Sequence, residues 1–275
     1  MTRIKEFSLI SKDGLTLFGK IWHTDLYENG IICLIHGIGE HSGRYDHLAK
    51  AFNNIGYSVA AIDLRGHGKS DGKRGHIQSY TAILNDITIL FNYACKQSSK
   101  KKYIYGHSLG GNLVLNYILE FPTHFYAAIV TSPLLRLAFI PPKWKLYMAT
   151  LVKRVIPSLS MPTNLKIYDL SHDPHVLELY RKDPLVHSQI SANTFVSFIS
   201  SGITAINKAP TLKIPLLLMH GSLDAITSPQ ASLEFSYAAG SLCSFKEWAG
   251  LYHELHNELE KEDVIKYMCD WLLSL

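Results

Sequence analysis

The sequence predicts an α/β fold: a mostly parallel central sheet of about eight strands flanked by helices, with one helical cap inserted into it. Three observations predict it. From residue 30 onward, short β-branched runs alternate with helical patterns. Between Ser132 and about Ala209 this rhythm stops for roughly seventy-five residues, far longer than an ordinary connection. Finally, 275 residues with 47% hydrophobic content suffice for one full core. The expected organisation is a single domain over residues 1–275, with the cap at 133–209 inside it.

In chain order, Lys5 to Ser11 and Leu15 to Trp22 flank Lys12-Asp13-Gly14 and read as an opening hairpin. The next strands are Ile31 to Ile35, Tyr57 to Ile62, Lys102 to Tyr105, Ala127 to Thr131, Leu216 to His220 and Ser244 to Trp248. Ile83, Leu84, Ile87, Leu90, Phe91 and Ala94 recur at helical spacing and should cover one sheet face, as should Val264 to Leu273 at the end. Inside the cap, Trp144, Tyr147, Met148, Leu151, Val152 and Val155 share one helical face, while Lys143, Thr150, Lys153 and Arg154 lie elsewhere. Such a helix either packs its apolar face on the body or offers it to lipid, with its basic residues near anionic headgroups.

Composition narrows the partners. The formal charge of +4 is dispersed and no aromatic-interleaved basic tract occurs, so nucleic acid is not an expected partner. Charges interrupt the apolar residues among Met1 to Ile10, which leaves no signal-peptide core, and nothing approaches the ~18 apolar residues of a membrane span. A cytoplasmic location is expected, peripheral at membranes if the cap meets lipid. Cys33, Cys95, Cys243 and Cys269 stand far apart with no C-x-x-C pair, and Cys33 sits in a central strand as a small core residue.

The chemistry concentrates after the Lys102 to Tyr105 strand. Gly106-His107-Ser108-Leu109-Gly110 joins that strand directly to a helical pattern, so strand, G-x-S-x-G and helix come in order. A serine there sits on a sharp turn, and flanking glycines keep a Cβ from striking the neighbouring strand or helix. Ser108 is the expected nucleophile of an α/β-hydrolase fold, and the Leu109 N–H is an expected oxyanion donor. A hydroxyl needs a base and an orienting acid, which follow in the order serine, acid, histidine. Asp224 falls in the loop after the Leu216 to His220 strand, with Asp173 and Asp183 in the cap as competitors. His253 follows the last strand; His256, a turn on, would line the same cleft. The run His253-Glu254-Leu255-His256-Asn257 is out of register for a zinc H-E-x-x-H site, so no metal is expected. The Ile38 N–H, after the Ile31 to Ile35 strand, fits the second oxyanion donor; His36 there reads as loop-stabilising. Gly68-Lys69-Ser70 matches only the end of a P-loop, so Asp63 to Ser70 reads as a structural turn.

With His36-Gly37-Ile38-Gly39-Glu40-His41-Ser42-Gly43-Arg44-Tyr45, the Asp63 to Ser70 turn, Gly106 to Gly111, Asp183-Pro184-Leu185 and Tyr252-His253-Glu254-Leu255-His256, the chain resembles the monoacylglycerol lipase and lysophospholipase branch of the α/β-hydrolases along its length. The resemblance implies a Ser108, Asp224, His253 triad, an Ile38 and Leu109 oxyanion hole, and a polar cluster of Glu40, Arg44 and His256 for the glycerol headgroup. Glu40 and Arg44 also read as a loop ion pair. The expected activity is cofactor-free hydrolysis of a small lipid ester, monoacylglycerol foremost, through an acyl-enzyme. The alternatives are a lysophospholipase, a general carboxylesterase, a serine aminopeptidase using cap carboxylates such as Asp173 or Glu178, or a non-catalytic binding protein on the same fold.

Overall fold

The structure, a computed structural model, describes residues 3–275 apart from the side chains of Lys143 and Lys145. Met1, Thr2 and the expected basic contact from Lys143 lie outside the described residues. The strands are β1 (Arg3–Ile10), β2 (Thr16–His23), β3 (Gly30–Ile35), β4 (Tyr57–Ile62), β5 (Lys101–His107), β6 (Ala127–Thr131), β7 (Ser160–Pro162), β8 (Gln189–Ser191), β9 (Leu216–Gly221) and β10 (Cys243–Trp248). All except the short β7 and β8, which pair with each other, form one eight-stranded sheet in the order β1-β2-β4-β3-β5-β6-β9-β10. The β1–β2 and β2–β4 pairs are antiparallel and the other five parallel. The α/β-hydrolase sheet predicted from the sequence is thus present, with boundaries moved by one or two residues.

The central strands read as unbroken apolar runs because both faces are covered. Ile31, Cys33 and Ile35 of β3 point to one face, where they meet Ile83 and Ile87 of α2 (Tyr80–Gln97) and Leu113 of α3 (Leu109–Glu120). Ile32 and Leu34 point to the other, against Leu48 and Phe52 of α1 (Asp46–Asn53) and Val264 and Met268 of α8 (Lys261–Leu273). Cys33 is fully buried, as expected of a small core residue, and burial pushes its thiol pKa up.

The stretch between β6 and β9, where the cap is expected, carries α4 (Lys143–Val155), the β7–β8 pair, α5 (Pro174–Lys182) and α6 (Ala192–Lys208), and α7 (Pro229–Ala239) follows β9. Two parts of the expected 133–209 insertion behave differently. Helix α6 belongs to the main core through Phe198, Ala205 and Ile206, and Gly202 lies against the backbone of Leu135, where a Cβ would strike the Leu135 carbonyl. Helix α4 packs against α6 and buries Ala149, but it leaves Tyr147 and Val155 exposed (65% and 79%), so much of its apolar face looks outward. The first of the two sequence-based alternatives, an apolar face packed on the body, does not hold for those residues.

β3 lies between β4 and β5, so the loops leaving the carboxyl ends of β3 and β5 diverge to opposite sides. This is the topological switch point of an open parallel sheet, where such folds open a crevice. The Asp63 to Ser70 turn beside it is structural, as expected: the Asp63 carboxylate accepts from the Ser42 and Lys69 N–H groups at 2.9 and 2.8 Å.

Candidate active site

Strand β5 delivers Ser108 at φ 55°, ψ −116°, a backbone conformation that L-residues rarely adopt. Three backbone bonds hold it there: its N–H donates to the Thr131 carbonyl, and its carbonyl accepts from Asn112 and Leu134, each at 3.0 Å. The flanking glycines are a steric necessity. A Cβ on Gly106 would lie 2.6 Å from the Gly110 carbonyl oxygen, and one on Gly110 would collide with the carbonyls of Ile35 and His36.

His253, from the loop after β10, places Nε2 2.9 Å from Ser108 Oγ and Nδ1 2.7 Å from Asp224 Oδ2. Asp224 follows β9 and is held by the Ile226 and Thr227 N–H groups, the Thr227 hydroxyl and His220 Nε2. Burial works against its charge, but His253 and His220 outweigh it and hold its pKa far below the usual carboxylate range. For His253 burial lowers the pKa, while Asp224, then Glu254 and Glu40, raise it above the ordinary imidazole value. Asp183 and Asp173 are engaged elsewhere, with His41 at 2.8 Å and Lys261 at 3.4 Å.

A small cavity opens beside Ser108, lined on the body side by Gly37, Ile38, Glu40, His107, His253 and Glu254, and on the cap side by Leu165, Leu170 and Tyr180. Among the described residues, neither the Ile38 nor the Leu109 N–H meets a protein acceptor. His36 is occupied as expected, accepting from the Leu64 N–H and bonding to the Gly37 carbonyl.

The expected headgroup cluster is only partly assembled. Glu40 lines the cavity. Arg44 lies behind it, donating to Glu40 Oε2 and to both oxygens of Glu254, each at 2.7 Å. His256 does not line the cleft, which corrects the expectation. The turn over Leu255–Asn257 swings its ring inward, where it is fully buried and stacks on Tyr45 at 4.8 Å. Glu254 and Tyr180 take cavity positions that the sequence did not single out. The only local signal for Glu254 is its place next to His253; its tie to Arg44 spans 210 positions and leaves no pattern in the chain.

A strained strand-to-helix serine, reached by a histidine and an aspartate from later loops of one open parallel sheet, defines the α/β-hydrolase class. A family model described as serine aminopeptidase, S33 matches residues 28–260. A monoacylglycerol lipase of Mycolicibacterium smegmatis is 30% identical over 98% of this chain and 97% of its own. The crystal structure of a Paleococcus ferrophilus monoacylglycerol lipase superposes with a TM-score of 0.87 at 33% identity, covering 94% of this chain and 98% of that one. An uncharacterized abhydrolase domain-containing protein of Dictyostelium discoideum is 37% identical over 96% of this chain, which spans only 28% of that longer protein. The chain belongs to the monoacylglycerol lipase branch of the α/β-hydrolase superfamily, and it is a carboxylic ester hydrolase.

Proposed function

We propose that the chain hydrolyses monoacylglycerol to glycerol and fatty acid, with Ser108, His253 and Asp224 as its triad. The observation that carries this is the continuous Ser108, His253, Asp224 hydrogen-bond chain at 2.9 and 2.7 Å, beside a cavity that Ile38 also lines. His253 takes the proton of Ser108 as the oxygen attacks the ester carbonyl, and Asp224 fixes the imidazole tautomer and stabilises its charge. The Ile38 and Leu109 N–H groups receive the oxyanion. His253 then protonates the departing alcohol, and a water repeats the sequence to release the acid. These steps require no metal or organic cofactor.

The leaving-group side favours a neutral polyol. Glu40 and Glu254 offer acceptor oxygens to hydroxyl donors, and no lysine or arginine is among the described lining residues. Hydroxyl recognition by buried acceptors discriminates strongly, and the same carboxylates disfavour a phosphate. We assign the headgroup to Glu40 and Glu254, with Arg44 behind them. The aminopeptidase alternative has support in the same carboxylate pair, which suits an ammonium. The cap carboxylates first considered for that role are paired instead, Asp173 with Lys261 and Glu178 with Lys182.

The proposal extends to location: a cytoplasmic enzyme that meets lipid surfaces through the cap. Exposed Ile140, Tyr147 and Val155 support that contact, with basic Lys153 and Arg154 alongside. No helix among the described residues is long and apolar enough to cross a membrane. The test is paired kinetics on monoacylglycerol, lysophosphatidylcholine and an amino-acid arylamide, with fluorophosphonate labelling as the check on Ser108. Monoacylglycerol should be preferred by at least tenfold in kcat/KM; a preference for either rival overturns the substrate assignment.

A further inference from the structure

The oxyanion loop after β3 and the histidine loop after β10 lie at opposite ends of the chain, yet Ile38 and His253 must address the same carbonyl. One buried network joins them. Glu40 Oε1 accepts from the Gly37 N–H and from the Tyr45 hydroxyl, both at 2.6 Å, which pins the peptide next to Ile38. Glu40 Oε2 accepts from Arg44 Nη1, and the same guanidinium forks onto both oxygens of Glu254, the residue after His253. Asn257 Nδ2 secures Glu254 from the far side at 2.7 Å. Tyr180 of the cap lies over the guanidinium, 4.7 Å from its ring centre. Glu40 and Glu254 are 3% and 2% exposed.

We infer that Glu254 and Arg44 are positioning residues: a guanidinium clamp that sets the base loop against the oxyanion loop, so that proton transfer and oxyanion stabilisation converge on one site. The inference rests on Ser108 and His253 acting as proposed, and it is independent of which alcohol leaves. A planar fork that spans two carboxylates is a property of arginine and not of lysine. Two carboxylates against one guanidinium also leave a negative balance beside His253, which supports the imidazolium formed during attack.

The experiment uses a substrate without a polyol, p-nitrophenyl acetate, so that headgroup binding cannot contribute. Glu254→Gln should lower kcat about tenfold or more with KM nearly unchanged, and should move the acid limb of the kcat/KM profile to lower pH. Arg44→Lys should lose kcat on the same ester, and the double variant should be little worse than either single one, because both break one clamp. Glu254→Asp keeps the charge but shortens the reach; it should lose kcat while the acid limb stays, and it replaces Glu254→Gln as the decisive variant if the latter does not fold. The clamp is overturned if kcat and the pH profile on this ester stay at wild-type values while only KM for monoacylglycerol rises. It is equally overturned if turnover falls only as far as the folded fraction measured by circular dichroism. Wild-type turnover of p-nitrophenyl acetate without turnover of monoacylglycerol would sink the substrate assignment and leave the clamp measurable. A wild-type protein inert toward every ester would remove both.

Discussion

Ser108 is held where its backbone is least comfortable. A non-glycine residue in such a region stores on the order of 1–3 kcal/mol, and it persists because the surrounding bonds over-determine it. The three backbone hydrogen bonds at Ser108 are that over-determination. That conformation sets Oγ 2.9 Å from His253 Nε2. A test separates strain from chemistry. Ser108→Ala and Ser108→Gly should both abolish fluorophosphonate labelling, but the glycine variant should be the more stable by about 1 kcal/mol in urea unfolding, against the usual order of the two residues. Equal stabilities would mean that the turn is unstrained. Asp224 lies one hydrogen bond back from the serine's partner, with Oδ2 2.7 Å from His253 Nδ1. Asp224→Asn should cut kcat by about 10⁴-fold with little change in KM, because an amide facing His253 Nδ1 selects the wrong tautomer. A loss below tenfold would remove Asp224 from the triad. Chain order singled out Asp224 and His253 because each occupies a loop that the strand pattern locates, and the fold joins both to Ser108 in one hydrogen-bond chain. It could not find Glu254 or exclude His256: burial and long-range pairing decide those positions.

Among the elements, the cap departs most from what the sequence conveys. Helical spacing identified the apolar face of α4, but periodicity gives a direction relative to the helix axis and none relative to the body. We propose that the cap consists of two parts, with α6 a fixed body helix and the stretch around α4 the part that meets lipid. Gly202 and Phe198 anchor the first, while Ile140, Tyr147 and Val155 are exposed in the second. The Leu170 to His172 segment is tied to the histidine loop: Glu254 N–H donates to the Leu170 carbonyl at 2.8 Å, and Glu258 accepts from the His172 N–H at 2.9 Å. That segment should stay put when the α4 stretch shifts. Replacing Tyr147 and Val155 together by serine should therefore reduce co-sedimentation with anionic vesicles several-fold, while turnover of water-soluble p-nitrophenyl acetate changes little. Unchanged vesicle binding would put the lipid contact elsewhere.

For the molecule as a whole, the central sheet was visible in the sequence because burial on both faces demands continuous β-branched runs, which few other structures need. What stayed hidden is how many polar groups the fold keeps inside. His36, His67, His107 and His256 are all essentially buried, and burial lowers the pKa of each, His107 to about 4. A histidine with a depressed native pKa binds fewer protons folded than unfolded. Its contribution is complete above the ordinary value near 6.5 and is lost as pH falls toward the native value. His107 alone represents on the order of 3 kcal/mol across that window. His253 has the opposite sign, since its raised pKa adds stability at low pH that fades as pH rises through the native value, but it is one group against four. The carboxylates act later: Glu40, lowered from 4.5 to about 2, withdraws its contribution only between those values. The histidines therefore govern the interval between pH 6.5 and 4, and the urea midpoint should fall steeply from pH 7.5 to 5. His107→Asn should flatten that dependence even where it lowers the midpoint itself, since a neutral amide has no proton to gain. A wild-type midpoint that stays level over the interval, or parallel profiles for the two proteins, would show that these imidazoles are already protonated in the native state.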